Sequence, residues 1–205
     1  MSKHFVLDFD GTLINTDVYW EWIVTQFLGI GQNEQMIREA GERLFPVGYT
    51  VAQHAKGLGL HEALVQELAQ RAREHVSEHH ASLIFSDVPS FFSRFVDAEK
   101  SILTFGDREH QIERIRASGI HSSISKIRTA STELPKAKQL KDLAQESSLP
   151  VVFIDDDLDQ LMGAYQARLP IELIRMRRDG QRKSKDDHKL DNEAWRVIRS
   201  FDELE

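Results

Sequence analysis

Two hydrophobic periods divide the chain. His4 to Phe9 (His-Phe-Val-Leu-Asp-Phe) reads as a short strand, which the turn residues Asp10-Gly11-Thr12 end. From about Val18 to Val76 the period becomes helical: Tyr19, Trp20, Ile23 and Phe27 recur at helical spacing, as do Met36, Ile37, Ala40 and Leu44, and then Leu64, Val65, Leu68, Ala72 and Val76. Glycines and Pro46 punctuate this stretch, so it predicts several short helices and almost no strand.

After Ser86 strands and helices alternate. Pro89–Phe95 predicts a helix and Ser101–Phe105 an apolar strand. A helix follows over Asp107–Ala117, then a weaker strand near Ile124–Arg128. Lys136–Gln145 is helical, Val151–Ile154 a buried strand, Leu158–Ala167 a helix, Ile171–Met176 a strand, and Ala194–Ile198 a short last element. Strands separated by helices of about ten residues imply βαβ units and a parallel sheet. The unbroken runs Ile102-Leu103 and Val151–Ile154 suit strands covered on both faces. The expected fold is therefore α/β, a Rossmann-like doubly wound parallel sheet that the first strand joins. The core is expected to comprise 1–13 and 86–205, and residues 14–85 a helical insertion.

Composition narrows the chemistry. A chain of 205 residues has room for one domain, or one domain with a modest insertion. There is no cysteine, which excludes disulfides, thiolate chemistry and iron–sulfur clusters. No apolar run approaches the ~20 residues of a membrane span, and the start of the sequence lacks the pattern of a signal peptide. A cytoplasmic location and no membrane partner are expected. Lys and Arg number 26 against 33 Asp and Glu, a net charge of -7. That balance disfavours nucleic acid as a partner but leaves room for a small anionic substrate.

Four pieces at strand ends carry candidate chemistry, and that edge is where open α/β sheets bind ligands. In extended chain Asp8 and Asp10 can face one side. Two close carboxylates favour a division of labour between nucleophile and acid/base; the plainer alternative is a turn at Asp10-Gly11 with Asp8 as a cap. The hydroxyl of Thr104 could meet a phosphate oxygen, or simply pack. Lys136, near a helix start, suits an anion at the sheet edge, with Lys138 as the competing candidate. Asp155, Asp156, Asp157 and Asp159 crowd four acids into five residues, which suits a hard cation such as Mg²⁺. An acidic helix cap accounts for one or two of them.

In combination these pieces resemble the haloacid dehalogenase (HAD) superfamily of phosphohydrolases. Its pattern is Asp-x-Asp-Gly-Thr after the first strand, Thr or Ser after the second, then Lys, then an acidic pair. The resemblance covers the chain except the details of the helical block. It implies that Asp8 attacks phosphorus, that Asp10 protonates the leaving oxygen and later activates water, and that Thr104 and Lys136 hold the phosphoryl oxygens. It implies Mg²⁺ held by Asp156, Asp8 and the backbone carbonyl of Asp10, with Asp155 a direct or indirect partner. The dehalogenase branch lacks an acid at the place of Asp10, so phosphoryl transfer is the expectation. At the fourth motif Asp155 stands where members often have glycine, and Gln160 where they have a final acid. Receiver domains are set aside because their acidic pair comes first.

The helical block falls where the family places a cap, with hinges expected near Ile14–Asp17 and Leu83–Asp87. Tyr19, Trp20 and Trp22 read mainly as core, with stacking on substrate the alternative. The His54–Gly59 stretch, with Lys56, is a candidate loop dipping into the site. The nine histidines read as surface or capping residues. The basic run from Arg175 to Lys189 (Arg177, Arg178, Arg182, Lys183, Lys185 and Lys189) reads as a solvated loop. The expected function is an Mg²⁺-dependent phosphatase acting on a small phosphorylated metabolite. The alternatives are a phosphomutase, a non-catalytic binding module on the same fold, and a phosphatase for a macromolecule. Oligomeric state is left open.

Overall fold

The computed structural model describes residues 2–181 and 194–205. Strands β1 (His4–Leu7), β2 (Glu99–Phe105), β3 (Lys126–Ala130), β4 (Val151–Asp155), β5 (Glu172–Met176) and β6 (Arg196–Ile198) form one sheet. Its order is β3-β2-β1-β4-β5-β6, with every neighbouring pair parallel. The expected parallel sheet is present, with β1 at its centre. Leu7 sits opposite Ile102 on one side and Ile154 on the other. Successive connections run to opposite sides of β1, so the crevice beyond the carboxyl ends of β1 and β4 is the topological switch point.

The strands bury both faces. Phe5, Leu7, Ile102, Val152 and Ile154 point into one hydrophobic cluster; Val6, Leu103, Val151 and Phe153 point into the other. This is the two-residue alternation of extended chain with no polar side to spare. Helices α7 (Lys136–Glu146) and α8 (Leu158–Gln166) cover the second face through Leu140, Leu143 and Leu161. The first face receives α5 (Val88–Arg94) and α6 (Arg108–Ala117) through Phe91 and Ile115.

Between β1 and β2 the chain runs through α1 (Thr16–Gly29), α2 (Glu34–Leu44), α3 (Val51–Gly57) and α4 (Glu62–His79). Asn15, Asn33 and Thr50 cap the first three by accepting hydrogen bonds from early backbone N–H groups. Two antiparallel segments join this block to the sheet. Ile14 bridges Ile84, Asn15 N–H donates to the Leu83 carbonyl, and Phe85 N–H donates to the Leu13 carbonyl.

Some boundaries differ from expectation. β1 ends at Leu7 rather than Phe9, although Asp8 N–H still donates to the Ile154 carbonyl. The third strand begins at Lys126 rather than Ile124, because a helical turn over Ile120–Ser123 takes up the chain before it.

Arg178, expected on a solvated loop, is buried, as is Arg175 within β5. Arg178 pairs with Asp87 at 2.6 Å and lies over the Phe85 ring. Asp87 also accepts from the Ser200 hydroxyl and the Phe201 N–H, tying the end of the chain to the second connecting segment. Burial opposes ionisation there, but these donors outweigh it and hold the Asp87 carboxyl below the usual range. Arg182, Lys183, Lys185 and Lys189 lie outside the described residues.

Candidate active site

The carboxyl end of β1 delivers Asp8 into the switch-point crevice, where its carboxylate is buried. The first residue of α7, Lys136, reaches back over the sheet edge. Its ammonium donates to Asp8 Oδ1 at 2.6 Å and to Asp155 Oδ2 at 2.7 Å. Burial disfavours that charge, but the carboxylates of Asp155 and Asp8 override it and hold Lys136 above the usual lysine range. Lys138 is exposed on the same helix, so Lys136 is the one of the two candidate lysines that meets these carboxylates.

Thr104 is fully buried one residue before the end of β2 and borders the same cavity. Its hydroxyl has no hydrogen-bond partner among the described residues. A buried orphan hydroxyl is costly unless something else answers it, which here favours a ligand oxygen over mere packing.

The acidic run after β4 splits by role. Asp157 caps α8 by accepting from Asp159 N–H at 2.9 Å, and Asp159 lies in the first turn of that helix. Those two acids meet the helix terminus and also border the cavity. The oxygens of Asp155 accept from Lys136 and from Asp157 N–H, so Asp155 positions the lysine and the turn. Asp156 lies over Gly11: a Cβ on Gly11 would sit 2.5 Å from Asp156 Oδ2, and Gly11 has φ +77°. Position 11 therefore needs glycine both for its backbone and for the approach of Asp156. Ligand atoms of Asp8, Asp155 and Asp156 lie within 4.8 Å of one another. This all-oxygen, acid-rich set fits a hard divalent cation, with Asp8 and Asp156 the carboxylates best placed to hold it.

Asp10 is held by partners that the sequence pattern did not reveal. Arg114 on α6 approaches Asp10 Oδ1 at 2.5 Å through one terminal nitrogen and Oδ2 at 3.0 Å through the other. Thr16 donates to Oδ1 and Gln111 to Oδ2. Burial pushes the carboxyl upward, but the Arg114 cation and these hydrogen bonds outweigh it and hold Asp10 well below the usual range. Asp10 is thus ionised in this arrangement, where the resemblance implied an acid that donates a proton. The Arg114 Nε donates to His80, which burial first, and then Arg114, lowers to about 3.

The site opens on a cavity of about 480 Å³ bounded by Asp8, Thr104, Lys136 and Asp156 and roofed by the helical block. Tyr19 and Trp20 border it. Trp22 does not; it stacks on His75 with ring centres 3.8 Å apart. Contrary to expectation the His54–Gly59 stretch does not reach the cavity: His54 is buried within the helical block, and Lys56 is an exposed partner of Glu62. The loop that does reach it runs from Phe45 to Tyr49. His4, His54 and His80 are buried rather than surface residues.

No family model matches the sequence, and no curated protein matches it. Among solved structures, a haloacid dehalogenase-like hydrolase of Burkholderia xenovorans superposes with a TM-score of 0.78, covering 98% of this chain and 93% of that one at 17% identity. The chain has the haloacid dehalogenase-like fold. Two further structures share it. The HAD-hydrolase YfnB of Bacillus subtilis, solved bound to magnesium, gives a TM-score of 0.68 at 18% identity, over 99% of this chain and 96% of that one. An L-2-haloacid dehalogenase of Xanthobacter autotrophicus, solved with chloropropionic acid covalently bound, gives 0.65 at 13% identity, over 98% and 96%. In this chain the sheet places Asp8 and Asp155 at the ends of β1 and β4, where Lys136 of α7 meets them.

Proposed function

We propose that this protein is a phosphoric monoester hydrolase that acts on a small phosphorylated metabolite through an aspartyl-phosphate on Asp8, with Mg²⁺ as cofactor. The carrying observation is the meeting of three groups in one roofed cavity: the Asp8 carboxylate, the Lys136 ammonium beside it, and the unpartnered Thr104 hydroxyl. The fold shared with HAD hydrolases, one of them solved with magnesium, supports the reading.

In this mechanism an oxygen of Asp8 attacks phosphorus and the bond from phosphorus to the leaving oxygen breaks, the leaving oxygen taking its proton from the Asp10 carboxyl. Lys136 and Thr104 meet the charge that builds on the phosphoryl oxygens. Asp8, Asp156 and the Asp10 carbonyl would hold a divalent cation, which would supply further positive charge to the transferring phosphoryl group. Asp10, ionised beside Arg114, takes a proton from the water that then attacks the aspartyl-phosphate, releasing phosphate and restoring Asp8. For Asp10 to protonate the leaving oxygen in the first step, its pairing with Arg114 must open. The helical roof excludes bulk water and favours a small substrate over a folded phosphoprotein.

Phosphate release from a panel of phosphorylated metabolites, with Mg²⁺ and with chelator, tests this. Release that depends on Mg²⁺ is expected. Chloride release from chloropropionic acid without phosphate release from any ester would overturn it.

Arg114 gives a pH prediction. Because Arg114 lowers Asp10, base catalysis by Asp10 persists to acid pH. Arg114→Gln removes the cation, raises the Asp10 carboxyl, and moves the acid limb of kcat to higher pH. The same linkage acts on stability: the Asp10–Arg114 contribution is present above the unfolded carboxyl value of 3.8 and is lost as pH falls below it. A pH–rate profile whose acid limb is identical in both proteins would remove Asp10 from the base role.

A further inference from the structure

We propose that the leaving group accepted here is a planar, mainly apolar alcohol, so that the substrate is an aryl or arylalkyl phosphate rather than a polyol phosphate. The inference rests on the phosphatase reading above and names the substrate class of that site.

The cavity has two unlike walls. The sheet side carries the charged and hydroxyl groups that suit a phosphoryl group. The helical block contributes Tyr19, Trp20 and Ile23 of α1 with Phe45, Pro46 and Tyr49 of the loop after α2, and its polar side chains, Thr16 and Asp17, lie at the start of α1 where Thr16 is bonded to Asp10. The side chains of Ile23, Phe45 and Pro46 offer no hydrogen bond. The Tyr49 hydroxyl is already committed, 2.9 Å from Nδ1 of His54. The other ring nitrogen of His54 faces the Ile37 carbonyl at 2.9 Å and must carry the proton. That fixes Nδ1 as acceptor and Tyr49 as donor. Gln111, on the sheet side, is spent on Asp10 and the Phe105 carbonyl.

A polyol under this roof would bury hydroxyls opposite Ile23, Phe45 and Pro46, which cannot answer them. A flat ring would instead meet ring faces and edges. The Tyr19 hydroxyl is buried and has no partner among the described residues, which leaves a place for a single polar substituent.

The roof is also fixed in place. The Trp20 ring meets Phe45 edge-on at 5.1 Å and Tyr49 at 5.9 Å. Its far edge rests on Gly41 of α2, where a Cβ would sit 2.3 Å from Trp20 Cη2. Glycine in mid-helix is unfavourable; here its missing side chain is the seat of the indole. Position 41, outside the cavity, thereby sets the height of the roof.

The test compares 1-naphthylmethyl phosphate with glycerol 3-phosphate and glucose 6-phosphate, all esters of primary alcohols. The expected result is a kcat/KM at least about tenfold higher for the naphthylmethyl ester. Gly41→Ala should displace Trp20 and raise KM for that ester about fivefold or more, while inhibition by inorganic phosphate is unchanged. Phe45→Ser, at a half-buried side chain, makes the same test should Gly41→Ala fail to fold. Equal or better turnover of the polyol phosphates would overturn the inference and leave the phosphatase reading standing.

Binding of naphthylmethylphosphonate and of glycerol phosphonate, read by tryptophan fluorescence, separates the two claims further. If no ester is hydrolysed but the aromatic phosphonate binds about tenfold tighter, the ligand class holds and the phosphatase reading falls. If the two phosphonates bind equally, the inference is overturned.

Discussion

Asp8→Asn is expected to lower phosphate release about 10⁴-fold or more, the scale seen when a covalent nucleophile is removed. The substitution keeps the size of the side chain and one carbonyl oxygen to accept from Lys136. It removes the negative oxygen that must attack phosphorus. The fold should survive, because Lys136 retains Asp155 at 2.7 Å as its ionic partner and Asp8 lies at a strand end rather than within a hydrophobic cluster. Asp8 and Asp155 are two buried acids around one lysine, so removing one negative charge should cost little stability without metal. Phosphate release and thermal unfolding, measured together, check this. Residual activity within tenfold of wild type would mean that Asp8 is not the nucleophile.

Lys136→Met should lower stability as well as activity. The lysine side chain is 3% exposed, and its ammonium is the positive charge between Asp8 and Asp155. Taking away one member of such a buried group typically costs about 3–5 kcal/mol, because the remaining charges stay buried without compensation. In a chain of this size each kcal/mol lowers the melting temperature by about 2–4 °C. Two further outcomes identify the cause. With the lysine gone, the folded-state carboxyls are raised above their unfolded values, so the deficit is present at neutral pH and shrinks as pH falls through them. Adding Asp155→Asn to Lys136→Met should recover part of the loss. Scanning calorimetry at several pH values measures all three quantities. A loss independent of pH and not relieved by Asp155→Asn would assign it to lost packing instead.

What the sequence made legible, and what it hid, follows the range of the signals. The sheet was readable because β4 and the middle of β2 are unbroken apolar runs, and their continuity reports burial on both faces. Asp8, Thr104 and the Asp155–Asp156 pair were readable because each is polar at the end of such a run, and Lys136 because it is a cation at a helix start.

Arg114 was not. Its helix reads Arg-Glu-His-Gln-Ile-Glu-Arg-Ile-Arg-Ala, in which one arginine among many charges looks like a solvated face. Only the tertiary placement of α6 against the sheet and the helical block brings it to Asp10. His54 misled in the opposite direction. A polar residue beside glycines suggests an exposed loop, yet Tyr49 and the Ile37 carbonyl satisfy its two nitrogens and let it be buried. Asp155 and Asp156 could not be told apart by spacing; the lysine that claims one of them comes from a separate helix.

The paired segments at Ile14 and Ile84 bear on how the sheet assembles. His4 lies beside Glu99, a contact that would ordinarily demand the closure of a long loop. Closure entropy depends on the free chain between two points, and it grows only with the logarithm of that length. Once Asn15 and Phe85 have made their backbone bonds to Leu83 and Leu13, the helical block no longer counts as free chain. To the central strands, everything between Leu13 and Phe85 then has the effective length of a hairpin turn. The fold can thus carry a large excursion next to its first strand while its sheet keeps the short-range connectivity of a much smaller protein.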